Sequence, residues 1–263
     1  MNARVLNQGR LFFTGAFRVW YRNALVFKKN LKVNLVPPFI EPLLYLGAIG
    51  FGIGSYVSEI EGLPYIRFIA PAILGASVMN ASFFECAYGT YVRMYYQRTF
   101  DAILATPITL REVIFGEIIW GATRGLISAL SIIIILLALG LVDPAGCIIA
   151  IPLSFMAGLL FAGIAACFSA ISPSIDTISY PATLYIAPMF LFSGTFFPLS
   201  LLPEPLQIFA LAFLPLTHVV GLMRALLIGV ADPVWALSIG WICGGIIIVT
   251  LLAIRLFGRK LIV

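Results

Sequence analysis

The sequence predicts an all-α polytopic membrane protein with six transmembrane helices. Of the 263 residues, 62% are hydrophobic and 10% are charged, and the mean hydropathy of +1.08 is far above that of a soluble domain. The apolar runs are long enough for helices to cross a hydrocarbon core of roughly 30 Å, and too long for the short alternating strands of a barrel. No linker or fixed-period repeat divides the chain, so residues 1–263 are expected to form a single membrane domain.

Six apolar stretches are the predicted spans, and together they occupy residues 33–257. They are Val33–Val57, Phe68–Val92, Val113–Leu141, Cys147–Ile171, Ser179–Phe197 and Trp235–Phe257. The segment Pro198–Pro233, before the sixth span, is apolar but interrupted by five prolines. Its two apolar pieces, Pro205–Phe213 and Thr217–Ile228, are each too short to span comfortably. We therefore expect an external re-entrant helical pair between helices five and six.

The positions of Lys and Arg predict the orientation, because positively charged loops stay in the cytosol. Seven basic residues lie before the first span and three follow the second. Three more, Arg255, Arg259 and Lys260, lie at the end of the last span and after it, which places 13 of the 16 on one side. Both termini, residues 1–32 and 258–263, are therefore expected to be cytosolic. Inside-positive topology accounts for the net charge of +5 and requires no nucleic-acid partner.

The N-terminal region alternates aromatic residues with cations over Arg10–Lys29. Aromatic side chains at about helical spacing beside positive charges predict an amphipathic helix in the plane of the inner head groups. A poorly ordered basic tail is the alternative, because Gly9 and Gly15 weaken the helix.

The polar loop Arg93–Glu112, RMYYQRTFDAILATPITLRE, separates spans two and three. Its pattern predicts a short amphipathic helix. A new helix, span three, is expected to begin after it, since Thr109 and Glu112 have the spacing of a capping box. A charged, helix-prone cytosolic loop in a chain without a nucleotide-binding motif predicts a docking surface for a partner.

Catalytic motifs are missing from the sequence. It contains no G-x-x-x-x-G-K-[ST], H-E-x-x-H or G-x-S-x-G, and its four cysteines show no metal or disulfide spacing. We expect no enzyme, no metal site and no cofactor in this chain. The single histidine, His218, is interpreted as a hydrogen-bonded structural residue, with a proton sensor as the alternative.

Four ionisable residues and one amide interrupt the predicted spans. Charge is costly in hydrocarbon, so such groups usually face a bundle interior or a wet cavity. Glu117 and Arg124 are seven residues apart on one helix face, and could pair through water or with a second subunit; Glu117 could also snorkel to the interface. A structural role and a role on a transport path both remain open for the set, which comprises Glu41, Asn80, Glu85, Glu117 and Arg124.

Five stretches, in order, resemble the membrane subunit of type-2 ABC exporters, the ABC-2 type permeases, and in particular the NodJ-like group associated with lipo-oligosaccharide export. The stretches are LVPPFIEPLLYLGAIGFGIG, YIRFIAPAILGASVMNAS, RTFDAILATPITLREVIFGEIIWGATRG, APMFLFSGTFFPLSLLP and LPLTHVVGLMRALLIG. The likeness covers nearly the whole chain, and the ordered set is more specific than any single stretch.

The resemblance implies a homodimeric permease of the bacterial inner membrane that binds two copies of a separate ABC ATPase. ATP and Mg²⁺ would be bound by that partner. The family's coupling helix corresponds to about Thr99–Pro107, its interfacial helix to Arg10–Lys29 and its external gate to Pro198–Ile228. The implied ATPase-coupling residues are Arg98, Thr99, Phe100, Asp101, Leu104, Thr106 and Pro107.

The aromatic end of span five is expected to meet amphiphilic cargo in such a dimer. A two-fold axis could line a path with spans two and five of both copies. The dimer or gate residues would be Met189, Phe192, Phe196, Phe197 and His218.

Three functions are consistent with the sequence. The leading hypothesis is a permease that exports an amphiphilic saccharide, either a lipo-oligosaccharide or a lipid-linked glycan. The second hypothesis is an efflux permease with the same ATP-driven mechanism, whose cargo is a drug or another hydrophobic small molecule. The third is an ATP-independent secondary transporter or membrane scaffold in which Glu41, Glu85 and Arg124 could form a proton relay.

Overall fold

The computed structural model describes residues 3–57, 59–230 and 234–261. Side chains are described from Phe13 onward, except at Phe51 and Leu261. The last three residues of the predicted re-entrant segment, 231–233, and the end of the predicted tail, 262–263, lie outside the described residues.

The described chain is almost entirely helical, as the sequence predicted. Its helices are α1 Ala3–Lys29, α2 Leu31–Gly52, α3 Tyr65–Phe84, α4 Thr99–Leu104, α5 Leu110–Ala138, α6 Pro144–Ile171, α7 Ser179–Pro181, α8 Ala187–Phe192, α9 Glu204–Phe213, α10 Pro215–Ile228 and α11 Trp235–Leu261. Two short antiparallel strands, β1 Glu59–Ile60 and β2 Leu63–Pro64, form a hairpin before α3.

Five helical segments within the described residues are long and apolar enough to cross a membrane. They are Leu31–Ser55, Tyr65–Tyr96, Leu110–Ala138, Pro144–Ile171 and Trp235–Lys260. The bent pair α9–α10 would make a sixth if it counts as one span. The prediction of an all-α polytopic membrane protein is confirmed.

The predicted fifth span, Ser179–Phe197, is shorter in the structure. Helical turns run from Ser179 through the π-helical Ala182–Ile186 to Phe192, a rise of about 21 Å at 1.5 Å per residue. The helix stops there because Gly194 turns the chain with a φ of +73°, a conformation that glycine adopts without a steric cost.

Helices α3, α5, α6 and α10 contribute most of the buried core. Its largest fully buried side chains include Phe68, Phe83, Phe161, Ile118 and Leu136. Small residues bring these helices close together: a Cβ on Gly158 would lie 2.9 Å from the Cα of Ala122. Packing through small residues is typical of helices in membranes, where apolar burial alone does not distinguish a neighbouring helix from lipid.

The re-entrant pair consists of α9 and α10, which meet at Leu214 with a bend of 92°. Proline at the first position of α10 lacks the N–H that an uninterrupted helix would need, so a new helix starts there. The structure confirms two short helices in this segment, at nearly the predicted bounds.

Helix α1 extends the predicted N-terminal helix and packs lengthwise on α5. Its inner face, with Ala16 and Val19 buried, lies against Gly116, where a Cβ would come within 2.7 Å of the carbonyl oxygen of Ala16. The opposite face is an exposed apolar stripe with the four-residue spacing of one helix side. The stripe comprises Phe13, Phe17, Tyr21 and Leu25.

Candidate functional site

The centre of the site is a charge cluster, which we define as Glu85, Arg93, Glu117 and Arg124. Arg93 binds Glu117 Oε2 through Nε at 2.8 Å and through Nη2 at 2.6 Å. Its Nη1 lies 2.9 Å from Glu85 Oε1, and Arg124 Nε lies 3.3 Å from Glu85 Oε2. Two cations and two carboxylates therefore neutralise one another, as buried charges must.

Glu117 pairs with Arg93 and not with Arg124, the residue seven positions along its own helix. Its side chain is 1% exposed, so it does not snorkel to an interface. The sequence spacing placed Glu117 and Arg124 on one face, but the two side chains bind opposite ends of a chain of ion pairs that runs through Arg93 and Glu85. Both earlier expectations for Glu117 are corrected by this geometry.

Neutral groups from α1 and α5 complete the cluster. Asn23 Nδ2 donates to Glu117 Oε1 at 2.9 Å, and Trp120 Nε1 donates to Glu85 Oε1 at 2.9 Å. Thr90 Oγ1 donates to Glu117 Oε2 at 3.1 Å. Burial lowers the pKa of the neighbouring Arg22, an effect that the charge of Glu117 opposes. The cluster thus joins α1, the end of α3 and α5.

The backbone of α3 changes its winding at the cluster. Helix α3 continues through two π-helical segments, Glu85–Gly89 and Val92–Tyr96. A Cβ on Gly89 would come within 2.9 Å of Glu85 Oε1 and 3.1 Å of Arg93 Nη1, so the ion pair crosses directly over this glycine. Wider π-helical turns interrupt α-helices mostly at functional sites.

The predicted coupling loop lies next to the cluster, beyond Tyr96. Arg98 turns the chain with a φ of 51°, and α4 follows. Phe100 is 1% exposed and packs against the ring of Phe257 in α11, with 6.2 Å between ring centroids. The capping box is confirmed: Thr109 Oγ1 accepts from the Glu112 N–H at 3.4 Å, and Glu112 Oε2 accepts from the Thr109 N–H at 2.5 Å.

The outer side of the loop is exposed and mixed in charge. We call this surface the loop face, and it comprises Arg98, Asp101, Ala102, Ala105, Thr106 and Pro107. Thr99 and Leu104 are half-buried between the loop face and the core. Of the predicted coupling residues, Phe100 holds the loop in place, whereas the loop face is available to a partner.

A polar cleft begins at the loop and extends along α2, α3 and α5. It consists of two adjoining cavities of about 700 and 600 Å³, which share the wall residues Asn34, Glu85, Gly89 and Arg124. The cavity nearer the loop also has Gln97 and Thr99 in its wall. The farther cavity includes further polar side chains, namely Glu41, Ser77, Asn80 and Ser128. Four of the five predicted intramembrane residues line this cleft, and Glu117 lies behind its wall.

The predicted dimer or gate residues divide into buried and accessible groups. Met189 is fully buried in the protomer, and His218 is 1% exposed. The His218 ring lies within hydrogen-bond distance of Ser238 Oγ, at 3.0 Å, and of the Leu211 carbonyl oxygen, at 2.9 Å. Phe192 is 40% exposed, and Phe196 and Phe197 are half-buried. Only these phenylalanines can reach a partner or cargo at the surface.

Comparison with known proteins agrees with this arrangement of spans, loop and cleft. A family model described as "ABC-2 type transporter" matches residues 15–228. The chain belongs to the ABC-2 type transporter family. This family assignment makes it a membrane transport protein, and the matched region includes the charge cluster, the loop face, the polar cleft and the re-entrant pair.

Curated relatives match the ABC-2 chain over most of its length. Nodulation protein J of Rhizobium meliloti (strain 1021) is 33% identical over 92% of this chain and 92% of its own. Nodulation protein J of Rhizobium leguminosarum bv. viciae is 34% identical over 92% and 93%. The inner membrane transport permease YadH of Escherichia coli (strain K12) is 27% identical over 84% and 86%.

Sequence reasoning missed several residues of the site. Arg93 was assigned to the loop, but it is the central cation of the cluster. Asn23 gave a usable signal, because it continues the buried face of Ala16 and Val19 at helical spacing. Trp120 gave none, since a tryptophan in an apolar span is normally a packing residue. Arg224 lies in the interrupted segment Pro198–Pro233, where it had no predicted role, and it is only 9% exposed.

Proposed function

We propose that this chain is the permease subunit of an ATP-driven exporter that moves an amphiphilic saccharide out across a bacterial inner membrane. It would work as a homodimer with two copies of a separate ATPase. The observation that carries the proposal is the polar cleft, which runs from the predicted coupling loop into the membrane-spanning helices beside a neutral charge cluster.

The loop face supports an ATPase partner. It is exposed, while Phe100 and the Thr109–Glu112 capping box fix the loop to α11 and α5. A push on a loop that is held in this way is transmitted to the spans, because close-packed interiors transmit strain. The charge cluster then links the end of α3 to α5 and α1, so motion of the loop would move the wall of the cleft.

The exposed surface of α2 supports a homodimer. Helix α2 buries the smallest share of residues among the five spans, yet it forms one wall of a cleft lined by charged and amide groups. Polar groups facing lipid would be costly. A second copy related by a two-fold axis would cover the cleft and enlarge it into a path between protomers.

The composition of the cleft supports amphiphilic cargo. Glu41, Asn80 and Ser128 offer hydrogen-bond donors and acceptors for hydroxyl groups, and the apolar side chains in the same wall, such as Val33 and Phe84, suit an acyl chain. The names of the relatives reported above do not state a cargo. The saccharide assignment therefore rests on the cleft and on the sequence resemblance to lipo-oligosaccharide exporters.

Deletion of the chain in its own host tests the assignment. We expect glycolipid to accumulate on the cytosolic side of the inner membrane, and a plasmid copy to restore export. A copy with Asp101 and Thr106 both replaced by arginine should not restore export, because the loop face could no longer bind the ATPase. Unchanged glycolipid together with new sensitivity to hydrophobic drugs would assign the chain to drug efflux instead.

A further inference from the structure

A separate pocket lies at the other end of the molecule, against the re-entrant pair. We call it the re-entrant pocket; it has a volume of about 300 Å³ and its walls come from α9, α10 and the segment after α8. Helix α3 has Phe68 at this end and Arg93 at the charge cluster. The two residues are 25 positions apart, which corresponds to roughly 37 Å along a helix, so the pocket is remote from the polar cleft.

Arg224 is a cation held inside this pocket without a carboxylate partner. Its guanidinium stacks on Phe68 at 3.8 Å from the ring centroid, and Nη2 donates to the carbonyl oxygen of Gly194 at 2.6 Å. Within the described residues no carboxylate lies within 4.0 Å of it. Nε also donates to the Phe68 carbonyl oxygen and Nη2 to that of Thr195, each at 3.3 Å, so only Nη1 remains for a ligand. The exposed Glu61, also in the pocket wall, acts on the positive charge of Arg224 from beyond ion-pair distance.

Two hydroxyl groups in the pocket wall also lack partners. Ser193 is fully buried and Thr217 is 6% exposed. In the described part of the chain, neither Ser193 Oγ nor Thr217 Oγ1 has a hydrogen-bond partner. A buried donor without an acceptor destabilises the fold, and a change of side-chain rotamer can turn either hydroxyl toward the pocket.

The helix geometry favours negative charge at the same place. Thr217 is in the first turn of α10, whose 14 residues include no acidic residue in that turn. The N-terminus of a helix carries a partial positive charge and attracts anions. Glu61, at the mouth of the pocket, is exposed to solvent, which screens its charge.

We propose that the re-entrant pocket is a binding site for an oxyanion: a carboxylate, sulfate or phosphate group held by Arg224, Ser193 and Thr217. The N–H groups of Arg224 Nη1 remain to donate to such an anion, and hydrogen bonds between two charged groups are short and strong. The pocket is at the lower end of the size range of small-ligand sites, so it would hold one anionic head group. The site is independent of the cargo proposed for the cleft.

Purified, delipidated full-length protein tests the site with two probes. Sodium sulfate, titrated by calorimetry at constant ionic strength, represents a soluble oxyanion. Phosphatidylglycerol, followed by native mass spectrometry, represents a lipid head-group phosphate. Binding of sulfate would identify a site open to soluble anions, and retention of the lipid without sulfate binding would identify the head group as the occupant. Glucose, a neutral polyhydroxylated molecule, should not bind.

Hydroxyl deletions separate binding from folding. We expect Thr217→Val and Ser193→Ala each to weaken binding of the active probe about tenfold, while the thermal midpoint without ligand stays unchanged or rises. Ser169→Ala is the matched control, because Ser169 Oγ is equally buried and unpartnered in the described chain but lies outside the pocket. Its binding should equal that of the wild type.

Arg224→Lys adds a test of the guanidinium, since it keeps the charge but loses the planar group that the carbonyl oxygens and Phe68 orient. Weaker binding with a retained fold supports the proposal. If Arg224→Lys does not fold, the hydroxyl variants decide the question. The proposal is overturned if neither probe binds, if glucose binds as well as sulfate, or if Thr217→Val and Ser193→Ala bind like Ser169→Ala.

Discussion

Glu117 on α5 accepts a hydrogen bond from Nε of Arg93 at 2.8 Å and lies 2.6 Å from Nη2 of the same guanidinium, although its side chain is only 1% exposed. This pair holds the end of α3 against α5 a short distance from the predicted coupling loop. Asn23 adds α1 to the same carboxylate. One buried carboxylate therefore connects three helices that border the polar cleft.

Removal of this carboxylate should strongly destabilise the protein. Glu117→Ala leaves Arg93 without its closest counter-ion, and breaking a buried pair costs about 3–5 kcal/mol. Asp101→Ala is the control, because its pair with Arg98 spans 3.5 Å between exposed side chains and should change the free energy of unfolding by less than about 0.5 kcal/mol. Chemical unfolding in detergent measures both. Equal changes in the free energy of unfolding for the two substitutions would show that the charge cluster does not stabilise the packing of the three helices.

The loop face should bind the ATPase without contributing to stability. Asp101→Arg combined with Thr106→Arg is expected to reduce copurification of the ATPase at least tenfold while leaving the unfolding midpoint unchanged, because both side chains are exposed. Glu204→Arg, an exposed substitution at the first turn of α9, should copurify the ATPase normally. Normal copurification by the loop variant would place the ATPase contact elsewhere.

Phe100 should behave oppositely to its neighbour Asp101. Its buried ring anchors α4 to Phe257, and removal of a buried phenylalanine costs about 3–5 kcal/mol when the whole fold depends on it. We expect Phe100→Ala to lower the unfolding midpoint and to increase proteolytic cutting between residues 97 and 109. Phe100→Leu, which keeps most of the apolar volume, should recover most of the loss. Unchanged proteolysis in Phe100→Ala would mean that the ring does not anchor the loop.

Glycine at position 116 should be necessary for α1 to pack on α5. A Cβ there would come within 2.7 Å of the Ala16 carbonyl oxygen and 2.8 Å of Val19 Cβ, so Gly116→Ala should cost about 1–3 kcal/mol. Gly240→Ala on α11 is the control, since nothing lies within 4 Å of its Cβ position. That substitution should stabilise by about 0.4–1 kcal/mol. Unfolding midpoints in detergent measure both effects. A shift of both variants in the same direction would contradict the close packing of α1 on α5 at Gly116.

A bulky side chain in the cleft should block transport without affecting folding. Glu41 is exposed and lines the cavity of about 600 Å³, so the larger side chain of Glu41→Trp should fit without steric strain. By filling the cavity it should lower the rate of transport at least tenfold. Leu43→Trp is the control, because Leu43 is 47% exposed and does not line the cleft. ATP-driven movement of a fluorescent glycolipid in proteoliposomes measures both variants. Equal transport by the two variants would show that the cargo does not pass through the cleft.

Much of the fold could be predicted because membrane spans follow from length and hydropathy. The break between α9 and α10 was also predictable, since Pro215 stops one helix and starts the next. The fifth span was overestimated at its C-terminal end: Ser193–Phe197 is as apolar as a helix end, and hydropathy does not show that Gly194 turns the chain.

The partners of the charged residues could not be predicted, because ion pairs between helices depend on tertiary packing. Sequence spacing placed Glu117 near Arg124 on one helix, but the ion pair forms with Arg93 on another. The burial of Met189 could not be predicted either. It lies among aromatic residues at the end of a helix, and the sequence does not show that its side chain faces the core of the protomer. The family resemblance indicated which part of the polar loop is the coupling helix. Side-chain burial was needed to distinguish Phe100, which is buried, from the exposed residues of the loop face.

ATP-driven export by the chain together with its ATPase is the central claim, and reconstituted transport tests it most directly. Proteoliposomes would contain the purified chain, the ATPase and a fluorescent glycolipid, with movement between leaflets followed after addition of ATP. We predict movement that requires ATP hydrolysis, that is lost when Asp101 and Thr106 are both arginine, and that persists when the proton gradient is collapsed. Movement that continues without ATP or the ATPase and stops when the proton gradient is collapsed would contradict the account.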